Sequence, residues 1–243
     1  MTGHRSPALA TALILGAVAQ IVGSFLPQQF GMPPIGSKSA ALPHPVTPAG
    51  YAFAIWSLIF LGSAALAIAY AWKGTAAKWI GWTFALALFV NTAWEVWVPA
   101  REIDGVSLLI IVTLLSLLLT VASQAPRRAQ GAERWIAVPT VMIFAGWATA
   151  ATFANIAAAF QFHDFNPAGH SLEQQAIWLI AVAALVAGGL AWRLAHPAYA
   201  GAVLWALVAI GVANGNAGPV AVTEWGAGLI VLAGTVAGMR RRA

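Results

Sequence analysis

The chain has 243 residues, of which 60% are hydrophobic and only 8% are charged. A soluble domain carries about 25% charged residues, so this composition excludes an ordinary soluble domain. The net charge of +5 does not indicate a nucleic-acid binder, because the basic residues lie singly or in twos and threes between apolar runs. The chain contains no cysteine, which excludes disulfides, thiolate metal sites and cysteine nucleophiles.

Eight apolar stretches follow one another along the chain. A helix needs about 20 apolar residues to cross the hydrocarbon core of a bilayer. We therefore predict an all-α integral membrane protein with about eight transmembrane helices. The predicted spans are 8–27, 49–72, 79–98, 106–124, 135–160, 174–193, 199–213 and 219–239.

The basic residues predict the direction of these spans. If the N-terminus is cytoplasmic, ten of the twelve basic residues fall on the inner side, and only Lys38 and Arg101 fall outside. Such a bias is the positive-inside signature, so we expect both termini in the cytoplasm. Cleavage of the first helix as a signal peptide is left open, because Arg5, an apolar run and Ala17-Val18-Ala19 also fit one.

Two longer loops lie on the predicted outer side. Residues 28–48 are rich in proline, which fixes backbone φ angles, so this loop is either a stiff lid or a plain connector. Residues 161–173 carry His163, Asp164 and His170. These side chains fit a solvated loop better than a metal site, and no metal ligand is predicted.

Few polar side chains lie inside the predicted spans. Each is a candidate functional residue, because polar groups are costly in lipid. Glu95 is the only carboxylate that we expect well inside a span, and the amides that we expect there are Gln20, Asn91 and Asn155. The three amides lie roughly 8–12 Å from the outer end of their helices, at 1.5 Å per residue. Trp56 lies at the same depth.

Further residues lie on the same helix faces as these polar ones. Residues three or four positions apart share a helix face, and a mostly aromatic pocket with a few polar anchors suits a flat organic molecule. The predicted ligand-binding residues are Gln20, Trp56, Phe60, Asn91, Trp94, Glu95, Trp147, Ala151 and Asn155.

Structural roles are alternatives for several of these residues. Trp147 also fits packing between helices, and Asn91 and Asn155 also fit hydrogen bonds between helices. Glu95 lies near enough to the predicted surface to pair with Arg101. The sequence leaves these alternatives open.

Three segments resemble the signatures of the TspO/MBR family, the tryptophan-rich sensory or translocator proteins. They are TPAGYAFAIWSLIF (47–60), NTAWEVW (91–97) and GWATAATFAN (146–155). The resemblance implies a five-helix TspO-like core at 1–161, with a ligand cavity under the loop that joins the first two helices. Residues 162–243 would then form an additional three-helix segment of the same membrane domain. By position, the resemblance places Trp56, Phe60, Asn91, Trp94, Trp147 and Ala151 around the cavity.

The resemblance also implies a function. Family members bind porphyrins, some bind sterols or synthetic aromatic drugs, and bacterial members act as sensors. We therefore expect a sensory or binding protein for a porphyrin-like ligand, in the cytoplasmic membrane of a bacterium. A secondary transporter and a light-dependent porphyrin-degrading activity are the alternatives.

The expected partners are the lipid bilayer and a hydrophobic small molecule, with no nucleic acid, and a homodimer is left open. A porphyrin or haem-type molecule is the only cofactor candidate. No catalytic residue is predicted, because the sequence holds no HExxH motif, Ser/His/Asp arrangement or phosphate loop. Whether the protein is an enzyme is left open, with the balance against it.

Overall fold

The computed structural model describes residues 6–42, 44–126, 129–166 and 168–242. Within these ranges all regular structure is helical, which confirms the all-α prediction there. A 3-10 turn (Gly50–Ala54) precedes α3, and a π-helical turn (Glu133–Ala137) precedes α6. The α-helices are α1 (Pro7–Gln29), α2 (Ile35–Ala41), α3 (Ile55–Lys73), α4 (Gly81–Ala100), α5 (Gly105–Gln124), α6 (Val138–Phe162), α7 (Leu172–Leu194), α8 (Pro197–Ala213) and α9 (Gly218–Arg242).

Each predicted span coincides with one long helix, and the short α2 is an addition that the sequence did not predict. Among the described residues, six helical segments are long and apolar enough to cross a membrane. They are the segments that contain α1, α3, α5, α6, α7 and α9. Helix α4 carries Asn91 and Glu95, and α8 has only 17 residues. A multi-pass membrane protein is therefore supported, while the number of eight crossings stays a prediction.

Contacts between loops and helix ends gather on two sides of the bundle. On one side, the Lys38 ammonium lies 2.7 Å from a carboxylate oxygen of Glu102. We call this the lid side, after the loop at 28–48 that the sequence analysis considers as a lid. On the other, the terminal side, the backbone N–H of Ser6 donates to the Tyr70 hydroxyl at 3.2 Å. The first contact joins the loop after α1 to the α4–α5 turn, and the second joins the start of α1 to the end of α3, so α1 and α3 run in opposite directions.

Basic residues are unevenly divided between these two sides. Of the nine in the described ranges, Lys38 and Arg101 lie on the lid side. The other seven lie at helix ends or loops of the terminal side: Lys73, Lys78, Arg134, Arg193, Arg240, Arg241 and Arg242. By the positive-inside tendency, the terminal side is predicted to face the cytoplasm.

The last three helices are packed into the bundle rather than beside it. Helix α8 crosses α6 so closely that a Cβ atom on Gly146 would meet the backbone carbonyl of Tyr199. Helices α7 and α9 also approach closely, with Gly234 against the backbone of Gly188. One hydrophobic core holds residues from α1 to α6 together with α8 residues such as Ala206. The predicted additional segment at 162–243 therefore shares its packing with the predicted core at 1–161.

This close crossing makes a stability prediction. Gly146→Ala forces a methyl group against the α8 backbone, so we expect it to cost about 1–3 kcal/mol by overpacking. Gly201→Ala is the control, because a Cβ there meets nothing within 4 Å. Alanine is the better helix former by up to about 1 kcal/mol, so the control should be neutral or stabilising. Thermal unfolding in detergent measures both, and equal behaviour of the two variants would contradict the close α6–α8 crossing.

Candidate functional site

A small cavity lies on the lid side, where α4, α6 and α8 meet the chain that connects α1 to α3. We call that chain the lid segment (residues 30–42 and 44–54). The free volume of the cavity is about 40 Å³. The lid segment covers it with Ile35, Ser39, Val46, Pro48 and Phe53. The loop that the sequence left as either a lid or a connector therefore covers this cavity.

Four of the nine predicted residues line this cavity. Trp94 comes from α4, and Trp147, Ala151 and Asn155 come from α6. Trp147, Ala151 and Asn155 are spaced four residues apart and form one continuous stripe along α6, as the sequence predicted. The small Ala151 leaves open space between the Trp147 ring and the Asn155 amide. The side chain of Phe53 meets this stripe from the lid segment, with its ring centroid 6.0 Å from that of Trp147.

Trp56 and Phe60 lie behind the cavity wall. The Trp56 ring centroid is 5.6 Å from that of Phe60 and 6.1 Å from those of Trp94 and Trp147. Such aromatic pairs contribute about 0.5–1.5 kcal/mol each beyond the area that they bury. Trp56 therefore supports the two tryptophans that face the cavity, without lining the cavity itself.

Gln20, Asn91 and Glu95 form a separate cluster between α1 and α4. All three are fully buried. The Asn91 amide donates to a Glu95 carboxylate oxygen at 2.8 Å and to the Gln20 amide oxygen at 3.3 Å. The alternative pairing of Glu95 with Arg101 is wrong, since the Arg101 guanidinium lies over the Trp97 ring instead. These three residues are thus brought together, but away from the cavity.

Asn155 lines the cavity and also makes hydrogen bonds to other helices. Its amide oxygen accepts from the Trp94 indole N–H at 3.2 Å and from the Ser107 hydroxyl at 3.3 Å. Its amide N–H donates to the carbonyl oxygen of Ala151 at 2.9 Å. The interhelical hydrogen bond that the sequence left as an alternative is therefore present, and it fixes Trp94 at the cavity.

The indole N–H of Trp147 is buried and finds no acceptor among the described residues. An unsatisfied buried donor costs about 1–3 kcal/mol. Because Trp147 lines the cavity, an acceptor atom on a bound molecule would remove that cost. The wall thus offers a free donor beside aromatic surfaces.

Several polar contacts hold the lid segment against the bundle. In α2, Lys38 binds Glu102 and the carbonyl oxygen of Arg101, both at 2.7 Å. Nearer α3, the side-chain amide of Asn214 donates to the carbonyl oxygen of Pro45 at 2.7 Å. The backbone N–H of Ala49 donates to the carbonyl oxygen of Ala209 at 2.9 Å. The α4–α5 turn and α8 are therefore attachment points of the lid.

Helix α8 also lines the cavity with Ala206 and Ile210, which the sequence did not predict. Alanine and isoleucine in an apolar helix give no signal that separates a cavity wall from a lipid-facing surface. Within the described ranges there is no group of three His, Asp or Glu residues that could hold a metal ion. The metal alternative for His163, Asp164 and His170 therefore gains no support.

The model of the TSPO-like protein family matches residues 8–237. The chain belongs to this family. No curated protein and no solved structure matches the chain. The match continues through α7, α8 and α9, so membership of the TSPO-like family is not confined to the predicted core at 1–161. Membership is typical of a sensory or binding protein of the membrane.

The lid segment of this TSPO-like protein contains a buried histidine. The His44 Nδ1 atom accepts from the backbone N–H of Val46 at 3.2 Å, and its side chain also interacts with Gln175 of α7. Burial lowers the pKa of His44 below the ordinary value of 6.5. The closed lid therefore favours the neutral imidazole.

This pKa shift predicts an acid-sensitive lid. Because the closed state disfavours protonation of His44, closure keeps its full stability above pH 6.5. It loses stability progressively as the pH falls below that value. Amide hydrogen exchange in the lid segment, corrected for the intrinsic rate, should therefore accelerate in mild acid. His44→Asn is the matched control, since an asparagine side chain also accepts from a backbone N–H two residues on. Acid sensitivity that persists in the variant would assign the effect to another group.

Proposed function

We propose that this protein binds a flat, hydrophobic aromatic ligand of the porphyrin type in the cavity under the lid segment, and that it acts as a sensor. The observation that carries the proposal is the cavity wall. Trp94 and Trp147 face the cavity from two different helices, and the unpartnered Trp147 N–H lies beside them. Aromatic surfaces with few polar groups are typical of pockets for flat organic molecules.

The volume of the cavity determines how a ligand would enter. Its 40 Å³ holds only about three water molecules at 10–15 Å³ each, whereas pockets for drug-sized ligands measure roughly 300–1,000 Å³. The wall on α4 and α6 is fixed by the Trp56 cluster and by the Trp94–Asn155 hydrogen bond. Binding therefore requires the lid segment to move.

Movement of the lid gives the protein a way to report binding. A ligand shifts a conformational equilibrium only by its differential affinity for the two states. Here the closed lid leaves too little room, so a ligand favours the open lid. The displaced α2 then exposes Lys38 and releases Glu102 on the α4–α5 turn, and this change on the lid side is the signal that we propose.

Titration with protoporphyrin tests the binding site. The Soret absorbance of the porphyrin reports binding independently of the number of tryptophans. In Trp147→Phe the ring is smaller and the N–H donor is lost, so we expect the dissociation constant to rise by about tenfold, the equivalent of one hydrogen bond.

Trp82→Phe is the matched control for this titration, because Trp82 is 59% exposed near the other end of α4. Its dissociation constant should equal that of the wild type. Equal affinities of the Trp147 and Trp82 variants would contradict the proposed site. No binding by the wild-type protein would contradict the porphyrin class of ligand.

A further inference from the structure

Helices α7 and α9 end together on the terminal side. The two helices approach so closely there that a Cβ atom on Gly238 would meet the backbone of Trp192. The positive-inside tendency explains basic residues on this side, but it does not explain why they gather at one pair of helix ends. Four of the seven described basic residues of the terminal side lie in these last turns: Arg193, Arg240, Arg241 and Arg242.

Two of these arginines are held by contacts with α7. The Arg242 guanidinium donates to the carbonyl oxygen of Leu194 at 2.7 Å and to that of Arg193. The Arg241 guanidinium lies over the Trp192 ring, 4.0 Å from the ring centroid. Helix carbonyl groups and aromatic rings attract cations, but neither carries a full negative charge. The end of α7 therefore positions Arg241 without neutralising it.

No carboxylate among the described residues pairs with Arg240 or Arg241. The ion pair within the described ranges joins Lys38 and Glu102 on the lid side. Glu133 is the described carboxylate of the terminal side, and it accepts a backbone N–H from the loop between α3 and α4 at 3.0 Å. Arg240 makes no hydrogen bond, ion pair or ring contact with the described part of the chain. Both guanidinium groups are therefore available to an external anion.

An exposed apolar stripe leads along α9 to Arg240. Leu229, Leu232 and Val236 precede Arg240 by eleven, eight and four residues, a spacing that places them on one face of the helix. They are 68%, 46% and 46% exposed. Such a face of a membrane helix lies against lipid chains, and an arginine near the helix end reaches to the headgroups. This surface therefore matches an amphiphile, with hydrocarbon along the stripe and an anion at its end.

We propose that Arg240 and Arg241 bind the phosphate of an anionic phospholipid whose acyl chains lie along this apolar stripe. Guanidinium groups bind phosphate oxygens through paired N–H groups. Trp192 lies beside them, and tryptophans are enriched at the headgroup level of a bilayer. A zwitterionic lipid brings its own cation to the arginines, so an anionic headgroup binds more tightly. This inference goes beyond the proposed function, because the site lies at the opposite end of the bundle from the cavity.

Native mass spectrometry of the delipidated protein in detergent tests this site. Dioleoyl phosphatidylglycerol and dioleoyl phosphatidylcholine have the same chains, so the ratio of their dissociation constants isolates the effect of the headgroup. A basic residue at an anionic surface raises affinity by about fivefold. Arg240→Gln should therefore weaken phosphatidylglycerol binding by about fivefold and leave phosphatidylcholine binding unchanged. Equal affinity of the wild type for the two lipids would overturn the proposal.

Lys78→Gln is the matched control. Lys78 is also exposed on the terminal side, and it makes no hydrogen bond, ion pair or ring contact with the described residues. Each variant therefore removes one charge and no contact, and both should unfold at the wild-type temperature. Phosphatidylglycerol should bind Lys78→Gln as it binds the wild type. An equal loss in the two variants would assign the effect to the overall charge of this side, and it would overturn the site.

Free glycerol phosphate distinguishes a lipid site from a site for soluble anions. It carries the same phosphate chemistry without the acyl chains that the apolar stripe is proposed to hold. At the same concentration as the lipid, it should leave phosphatidylglycerol bound. Displacement of the lipid by glycerol phosphate would overturn the assignment to a phospholipid.

Discussion

The arrangement of α1, α4, α5 and α6 depends on the need of buried amides for hydrogen-bond partners. A polar group in an apolar bundle has no water to bind, so helices must bring its partners to it. Asn155 receives hydrogen bonds from Trp94 of α4 and Ser107 of α5, while Asn91 of α4 donates to Gln20 of α1. Helix α4 is thus fixed in register against helices on both sides. Trp94 is held at the cavity as a consequence.

This constraint divides the site into a fixed part and a movable part. The aromatic wall is supported by Trp56, whose ring contacts those of Trp94 and Trp147. The lid segment is attached instead by polar contacts, including the partly buried Lys38–Glu102 pair. It also packs against the bundle through the buried side chains of Val46 and Ala52. Opening the lid breaks these contacts and leaves the Trp56 cluster of the wall in place.

The sequence predicted the helices and one wall of the cavity well, because both follow from periodicity. Apolar runs located the long helices, and the spacing of Trp147, Ala151 and Asn155 along α6 located the stripe that lines the cavity. Depth along a helix, however, does not determine how that helix is rotated against its neighbours. For this reason Gln20, Asn91 and Glu95 were placed with the pocket residues, whereas they form their own contacts between α1 and α4.

Helices α7 to α9 were the part that the sequence described least well. The small apolar residues of these helices give no sequence signal for a cavity wall, because packing alone decides which of them face lipid. A buried carboxylate was also overlooked there, because the sequence singled out Glu95 alone. Glu224 of α9 is only 5% exposed, and the amide of Asn214 contacts it at the end of α8. The family match through residue 237 agrees with the view that these helices are integral to the protein.

The most direct test of the central claim is to lock the lid. The chain has no cysteine of its own, so Lys38→Cys and Glu102→Cys introduce the only two thiols at the contact between α2 and the α4–α5 turn. A short bifunctional thiosulfonate reagent then links them, and dithiothreitol releases the link. If ligands enter by displacement of the lid, the linked protein should fail to bind protoporphyrin, and reduction should restore binding. Equal binding before and after reduction would contradict the account.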